Sequence, residues 1–446
     1  MSSDETSGRS GALARMLAYT LIVLSPLIIV ALVRPATDHS FVYTVGKNLA
    51  LVGFAMFAMQ FVLSARLKWI ERPFGLNLLF SFHKAMAVVA SLLVFSHPLL
   101  LVLGGGERSL VLGPEVSWHI WLGRIAMVVI LFHVLLATFR LIIRLNYETW
   151  RFVHNVVAVV FLPLAFLHSW KAGGDLQLPA MRVLWVVLFA SAAAAYGWHR
   201  FVRPVRLRRE LYTVTDVRKE ADRVWTIALA APAGVQRLDF LPGQFQFLTF
   251  RRAAHLPVEE HHWTISSSPS EKGVLRATIK ESGDFTATIG STKPGDTALI
   301  YGPFGRFSYA LHPEQRDLVF IAGGIGITPL MAMLRHMRDT QAKRTVTLLY
   351  GNTNEQDITF RDELAEMERA GVASLKVVHI LSKPSAEWRG ERGRLDAETV
   401  AKLCEPLGAD RAYYLCAPPA AMRQAIRVLR QAGVPPRRIL FERFSL

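Results

Sequence analysis

Four histidines recur at a single spacing. His83 and His97 lie 14 residues apart in FGLNLLFSFHKAMAVVASLLVFSHPLLLVL, and His154 and His168 lie 14 apart in YETWRFVHNVVAVVFLPLAFLHSW. Fourteen helical residues make about four turns and a rise of roughly 21 Å, so each pair returns to nearly the same face. Two such helices side by side would hold two planar groups, one near each membrane surface. Imidazoles on both sides of a haem iron are the chemistry that fits best, giving two b-type haems. That arrangement carries electrons across a membrane.

The elements that must position these residues are membrane helices. The chain has 446 residues, 52% of them hydrophobic, a composition that suits a membrane bundle joined to a substantial soluble part. Apolar stretches over about 13–33, 43–65, 77–103, 118–143, 150–170 and 181–202 are long enough to span. The first is too long for a signal-peptide core and is read as a retained helix after a polar tail, 1–12. Arginines cluster after the second, fourth and sixth spans (Arg66 and Arg72; Arg140, Arg144 and Arg151; Arg200 to Arg209), while the opposite loops are poor in basic residues. The positive-inside rule then puts both termini in the cytoplasm of a cell (inner) membrane. The net charge of +16 is explained by these helix-end arginines without nucleic acid. Only Cys404 and Cys416 are present, which excludes a disulfide framework or a thiolate metal cage.

His83 lies 11 residues beyond Arg72 and His154 lies 10 beyond Arg144. The depths therefore pair His83 with His154 near the cytoplasm, and His97 with His168 near the outer face. A rival pair shares the spacing. His119 and His133 in the fourth span are also 14 apart, and spacing and depth alone leave them open as ligands.

Beyond the membrane part, short strands with Pro/Gly punctuation predict an antiparallel β-barrel over 204–310. Strands alternating with helices predict a parallel-sheet α/β nucleotide-binding domain over 311–446. The bundle takes 13–203. In EEHHWTISSSPS, the run His261-His262-Trp263-Thr264 is similar to the flavin signature of the transmembrane ferric reductase and NADPH oxidase family. The resemblance extends over about 40–446 and keeps the family's motif order. It implies that His261, Trp263, Thr264, Ser266 and Ser267 serve FAD, with Trp263 beside the flavin and Thr264 near its N5 edge. Gly283 and Thr286 resemble the element that receives the FAD pyrophosphate. FIAGGIGITPLMAML resembles the nicotinamide-nucleotide motif: Gly323, Gly324 and Gly326 end a strand, and Thr328 suits the N-cap of the helix that follows. Cys416 in Cys416-Ala417-Pro418-Pro419 resembles the cysteine that borders the nicotinamide, although Ala417 stands where glycine is usual. Phe444 corresponds to the near-terminal aromatic that covers the flavin, and Phe441 reads as the last core strand. The family's haem ligands lie on the third and fifth helices, which favours His83, His97, His154 and His168.

The resemblance implies NAD(P)H as donor. Glu355 and Asp357, after the second nucleotide-domain strand, point toward NADH. The short outer loops leave the acceptor open, with a ferric chelate slightly ahead of oxygen. An electron-relay subunit serving an extracytoplasmic protein is the alternative of another class, and a non-redox transporter is disfavoured by the flavin signature.

Overall fold

The computed structural model describes residues 3–34, 39–140, 142–404, 408 and 410–443. Phe444 lies outside the described residues. The chain divides into two compact units, Met1–Arg203 and Pro204–Leu446.

Among the described residues the first unit holds six helices long and apolar enough to cross a membrane: α1 (Ser3–Val33), α2 (Phe41–Ser64), α3 (Leu76–Leu103), α4 (Trp118–Phe139), α5 (Tyr147–Ala172) and α6 (Pro179–Gly197). Three ends differ most from expectation, among them that of α6, which gives way at Gly197 to a π-helical turn, Trp198–Val202. Helix α1 begins at Ser3, before its apolar run. Helix α4 stops at Phe139 rather than 143, because the chain turns there and Arg144 takes a left-handed conformation with φ 52°. Side chains cap two starts: Ser40 Oγ accepts from Tyr43 N, and Asn146 Oδ1 from Thr149 N. Helix α2 is the most buried, packing against α1, α3 and α6. Glycines bring it close to α3. A Cβ at Gly53 would come within 2.6 Å of Val94 Cγ2, and one at Gly46 within 2.9 Å of Leu100 Cβ. Close backbone approach at small residues is how helices associate without a hydrophobic driving force. Helix α4 packs on α5.

The second unit contains two six-stranded sheets. The first is antiparallel, in the order β4 (Glu260–Thr264), β3 (Phe245–Arg251), β6 (Thr297–Phe304), β1 (Tyr212–Ala221), β2 (Val224–Ala230), β5 (Val274–Lys280). A bridge between Ile265 and Ala277 joins its two edges, so the sheet curls into a barrel around Leu229, Leu248, Phe250 and Leu275. Between β5 and β6 lies the short helix α7 (Asp284–Ala287).

The second sheet is parallel, in the order β10 (Glu391–Arg392), β9 (Lys376–Leu381), β8 (Thr345–Asn352), β7 (Asp317–Gly323), β11 (Ala412–Cys416), β12 (Ile439–Phe441). Its helices are α8 (Ile327–Asp339), α9 (Arg361–Arg369), α10 (Ala397–Leu403) and α11 (Pro419–Gln431). The strand order reverses between β7 and β11, and ligands bind at such a switch point, outside the carboxyl ends of the strands. Phe441 does end the last strand, but its side chain is 39% exposed and lies against the Arg443 guanidinium. It is a surface residue, not a core one.

Candidate electron-transfer and nucleotide sites

In the membrane unit, the His83 and His154 ring centroids are 6.3 Å apart. A metal ion about 2.0 Å from the nitrogen of each of two opposed imidazoles separates their centroids by roughly 6 Å. This pair therefore fits one iron. Two of the remaining contacts fix ring orientation. His97 Nδ1 lies 3.0 Å from the Gly46 carbonyl of α2, and His168 Nδ1 lies 2.8 Å from the His119 carbonyl of α4. A carbonyl only accepts, so both rings carry the proton on Nδ1 and keep the Nε2 lone pair for a metal. Metal-bound histidines are held in this way. Gly123 makes the seat of His168 possible, since a Cβ there would lie 2.6 Å from the ring.

His133 sits at the level of His83 and His154, its Nε2 2.9 Å from His154 Nδ1. Its own Nδ1 and that of His83 are buried without a partner, as are both polar atoms of the Gln60 side chain. Among the described residues no three His, Cys, Asp or Glu are arranged to hold a metal ion. A bis-imidazole haem needs only two. At the other end of α2, Asp175 accepts from Arg34 Nε and Nη2, each at 2.7 Å, and pairs with Lys47 at 3.2 Å. One carboxylate thus meets two cations beside the His97 level.

In the barrel, β4 carries His261, Trp263 and Thr264 of the sequence-predicted flavin residues. The ring centroids of His261 and Phe285 are 4.4 Å apart, and those of Trp263 and Phe285 are 6.0 Å apart. The Arg252 guanidinium lies 5.1 Å from the Phe285 centroid. Phe285 and Arg252 carried no recognisable signal in the sequence; strand pairing and the α7 turn bring them in. Thr264 Oγ1 is buried without a partner, and so is the side chain of Gln246, paired in register with Trp263. The hydroxyls of Ser266 and Ser267 turn inward. Ser266 Oγ bonds Thr278 Oγ1 at 2.9 Å, and Ser267 Oγ accepts from Arg276 N at 3.1 Å. Gly283 precedes α7, and Thr286 Oγ1 accepts from Ser282 N at 2.7 Å.

The two nucleotide motifs, distant in sequence, meet at the switch point. A Cβ at Gly326 would lie 2.1 Å from the Cys416 carbonyl, and one at Gly323 would lie 2.6 Å from Pro418 Cδ. Gly324 has φ 53°, a left-handed turn open to space. The helix start differs from the sequence reading. A 3₁₀ turn over Gly324–Gly326 runs directly into α8, so Gly326 is the N-cap. Thr328 instead lies inside the first turn, its hydroxyl donating to the Ile325 carbonyl at 3.1 Å. Burial pushes the Cys416 thiol well above its ordinary range. It remains a thiol, suited to packing and not to nucleophilic attack. After β8, Asn354 Oδ1 accepts from the Gln356 and Asp357 amides, and Glu355 accepts from Ser385 Oγ at 2.8 Å.

Comparison with known families matches these parts in order. Residues 49–165 match the ferric reductase like transmembrane component. Residues 212–309 match the oxidoreductase FAD-binding domain, and 320–427 the oxidoreductase NAD-binding domain. The chain belongs to the ferric reductase-like transmembrane proteins fused to an FAD/NAD dehydrogenase. This family member is an NAD(P)H-dependent oxidoreductase. Among curated proteins it is similar to sulfhydrogenase 1 subunit gamma of Pyrococcus furiosus, at 27% identity over 52% of this chain and 75% of that protein. It is also similar to NADH-cytochrome b5 reductase 2 of Mus musculus, at 30% identity over 36% of this chain and 69% of that one. Among solved structures, the FAD/NAD-binding domain of a Vibrio cholerae nitric oxide dioxygenase aligns with TM-score 0.47 at 24% identity, covering 52% of this chain and 97% of that one. The transmembrane match contains His83, His97 and His154 and stops three residues before His168.

Proposed function

We propose that the protein passes electrons from cytoplasmic NAD(P)H across the cell membrane to an acceptor at the outer face, a ferric chelate in the first place. When bound, FAD supplies the conversion of a two-electron hydride donor into single electrons, and two b-type haems supply one-electron relay. The chain's own residues do the positioning. Gly323, Gly324 and Gly326 let backbone approach the dinucleotide, and the α8 N-terminus offers it N–H donors. The Cys416 thiol packs beside the nicotinamide, while Trp263 and Thr264 seat the flavin. Phe444 is assigned the cover over the flavin face. His83 with His154, and His97 with His168, hold the iron centres through Nε2. The observation that carries this reading is the 6.3 Å separation of the His83 and His154 rings.

The arginine-rich loops support a topology with both termini in the cytoplasm. An inside-negative potential then helps each electron outward by about 2.3 kcal/mol per 100 mV, for full transit. The cation pair Arg34 and Lys47, shared by the single carboxylate Asp175, favours an anionic acceptor such as a ferric chelate over neutral oxygen. The test is purified protein with FAD, reduced anaerobically by NADH or NADPH, then given either air or ferric citrate. Haems that stay reduced in air and oxidise on adding ferric citrate support the ferric reading. Rapid oxidation in air with superoxide formed assigns the protein as an oxidase. A reduced protein inert to both directs the search to an extracytoplasmic protein acceptor.

A further inference from the structure

The histidines of α4 share the 14-residue spacing of the proposed ligand pairs, and each lies against a histidine of α5. Helix α4 packs on α5, so it meets the α5 histidines at the same two depths. His119 lends its backbone carbonyl to His168 at 2.8 Å, and His133 lends its side-chain Nε2 to His154 Nδ1 at 2.9 Å. The two acceptors differ chemically. A neutral imidazole nitrogen is a far stronger base than an amide carbonyl, so it draws the Nδ1 proton further from the ring that donates it. The proton must lie on His154 Nδ1, because the reverse tautomer would protonate Nε2 and block ligation.

We propose that His133 is a positioning residue that aims His154 Nε2 at the inner iron and makes His154 the more electron-donating of the two α5 ligands. A more donating ligand stabilises the oxidised metal. The inner centre then has the lower reduction potential, and electron flow toward the outer centre runs downhill. His133 must be neutral in this role, with its proton on Nδ1, an atom buried among the bundle helices without a partner. The inference rests on the bis-histidine haem reading.

The test is an optical redox titration of the purified full-length protein, as wild type, His133→Leu and His133→Gln. In His133→Leu the lower-potential haem component rises by the equivalent of about tenfold in its reduction equilibrium, 59 mV for one electron, while the other component stays in place. The Gln amide oxygen accepts the same proton more weakly, so His133→Gln falls between. Should His133→Leu lose the inner haem, the Gln variant decides: a lower component raised above wild type supports the inference, and one at the wild-type value overturns it. Both components unmoved in His133→Leu, or both moved equally, also overturn it. Wild-type protein that binds no haem at all fails the ligand reading itself, which is a distinct result.

Discussion

At the residue scale, the ligand assignment and the nucleotide crevice make separable predictions. Removing an outer-level imidazole, as in His97→Ala or His168→Ala, is expected to abolish one haem of two. NAD(P)H-dependent dye reduction at the flavin should survive, because the dehydrogenase is untouched. Pyridine haemochrome content checks this, and two haems in both variants would contradict it. At Gly326 the obstacle to a side chain is a backbone carbonyl 2.1 Å away, which no rotamer change relieves. Gly326→Ala must therefore push β11 and the α8 start apart. A misplacement of about 1 Å costs on the order of 100-fold in rate. Dye reduction with varied NADH should show a loss of that size in kcat/KM with FAD content unchanged.

The element scale shows which features were legible in the sequence. The six spans, the barrel strands and the parallel strands all follow from apolar length and periodicity, since burial dictates those patterns. Which four of the six spaced histidines could hold metal was another matter. Helix α4 meets the α5 histidines at two depths, so His119 and His133 repeat the spacing of the proposed ligands, and spacing alone could not separate the roles. The α8 cap was misread for a local reason: a 3₁₀ turn of three residues moved the helix start upstream of Thr328. Phe285 and Arg252 escaped notice because the place of Phe285 beside His261 and Trp263, and of Arg252 against Phe285, depends on long-range packing.

Helix α8 also links the two soluble layers. Arg335 Nη1 donates to the Ser266 carbonyl at 2.6 Å, while Nε and Nη2 bond the Glu363 carboxylate of α9 at 2.8 and 2.5 Å. Burial alone would raise the Glu363 pKa, but the hydrogen bond and charge of Arg335, with Arg338, hold it below the ordinary value of 4.5. A depressed carboxylate stabilises the fold fully above that value, and the contribution is lost as pH falls through the lower folded one. Glu363→Gln should therefore lower stability by about 1.5–3 kcal/mol at neutral pH. The gap to wild type should close as pH drops below about 4.5. Thermal melts followed by flavin release across that range test it. A gap that persists in acid would mean that the ion pair is not the link.

On the scale of the whole molecule, one chain joins a helical bundle carrying two levels of histidine to a barrel and a parallel sheet with adjoining flavin and nucleotide features. The family matches follow the same order along the chain. These parts are proposed to form one electrical circuit. The direct measurement is the haem absorption spectrum of purified, FAD-loaded protein during anaerobic addition of NADH or NADPH. Two b-type haems per chain are expected, both reduced by the nucleotide only when FAD is present. A protein that reduces dyes yet carries no haem, or whose haems stay oxidised while the flavin is reduced, would contradict it.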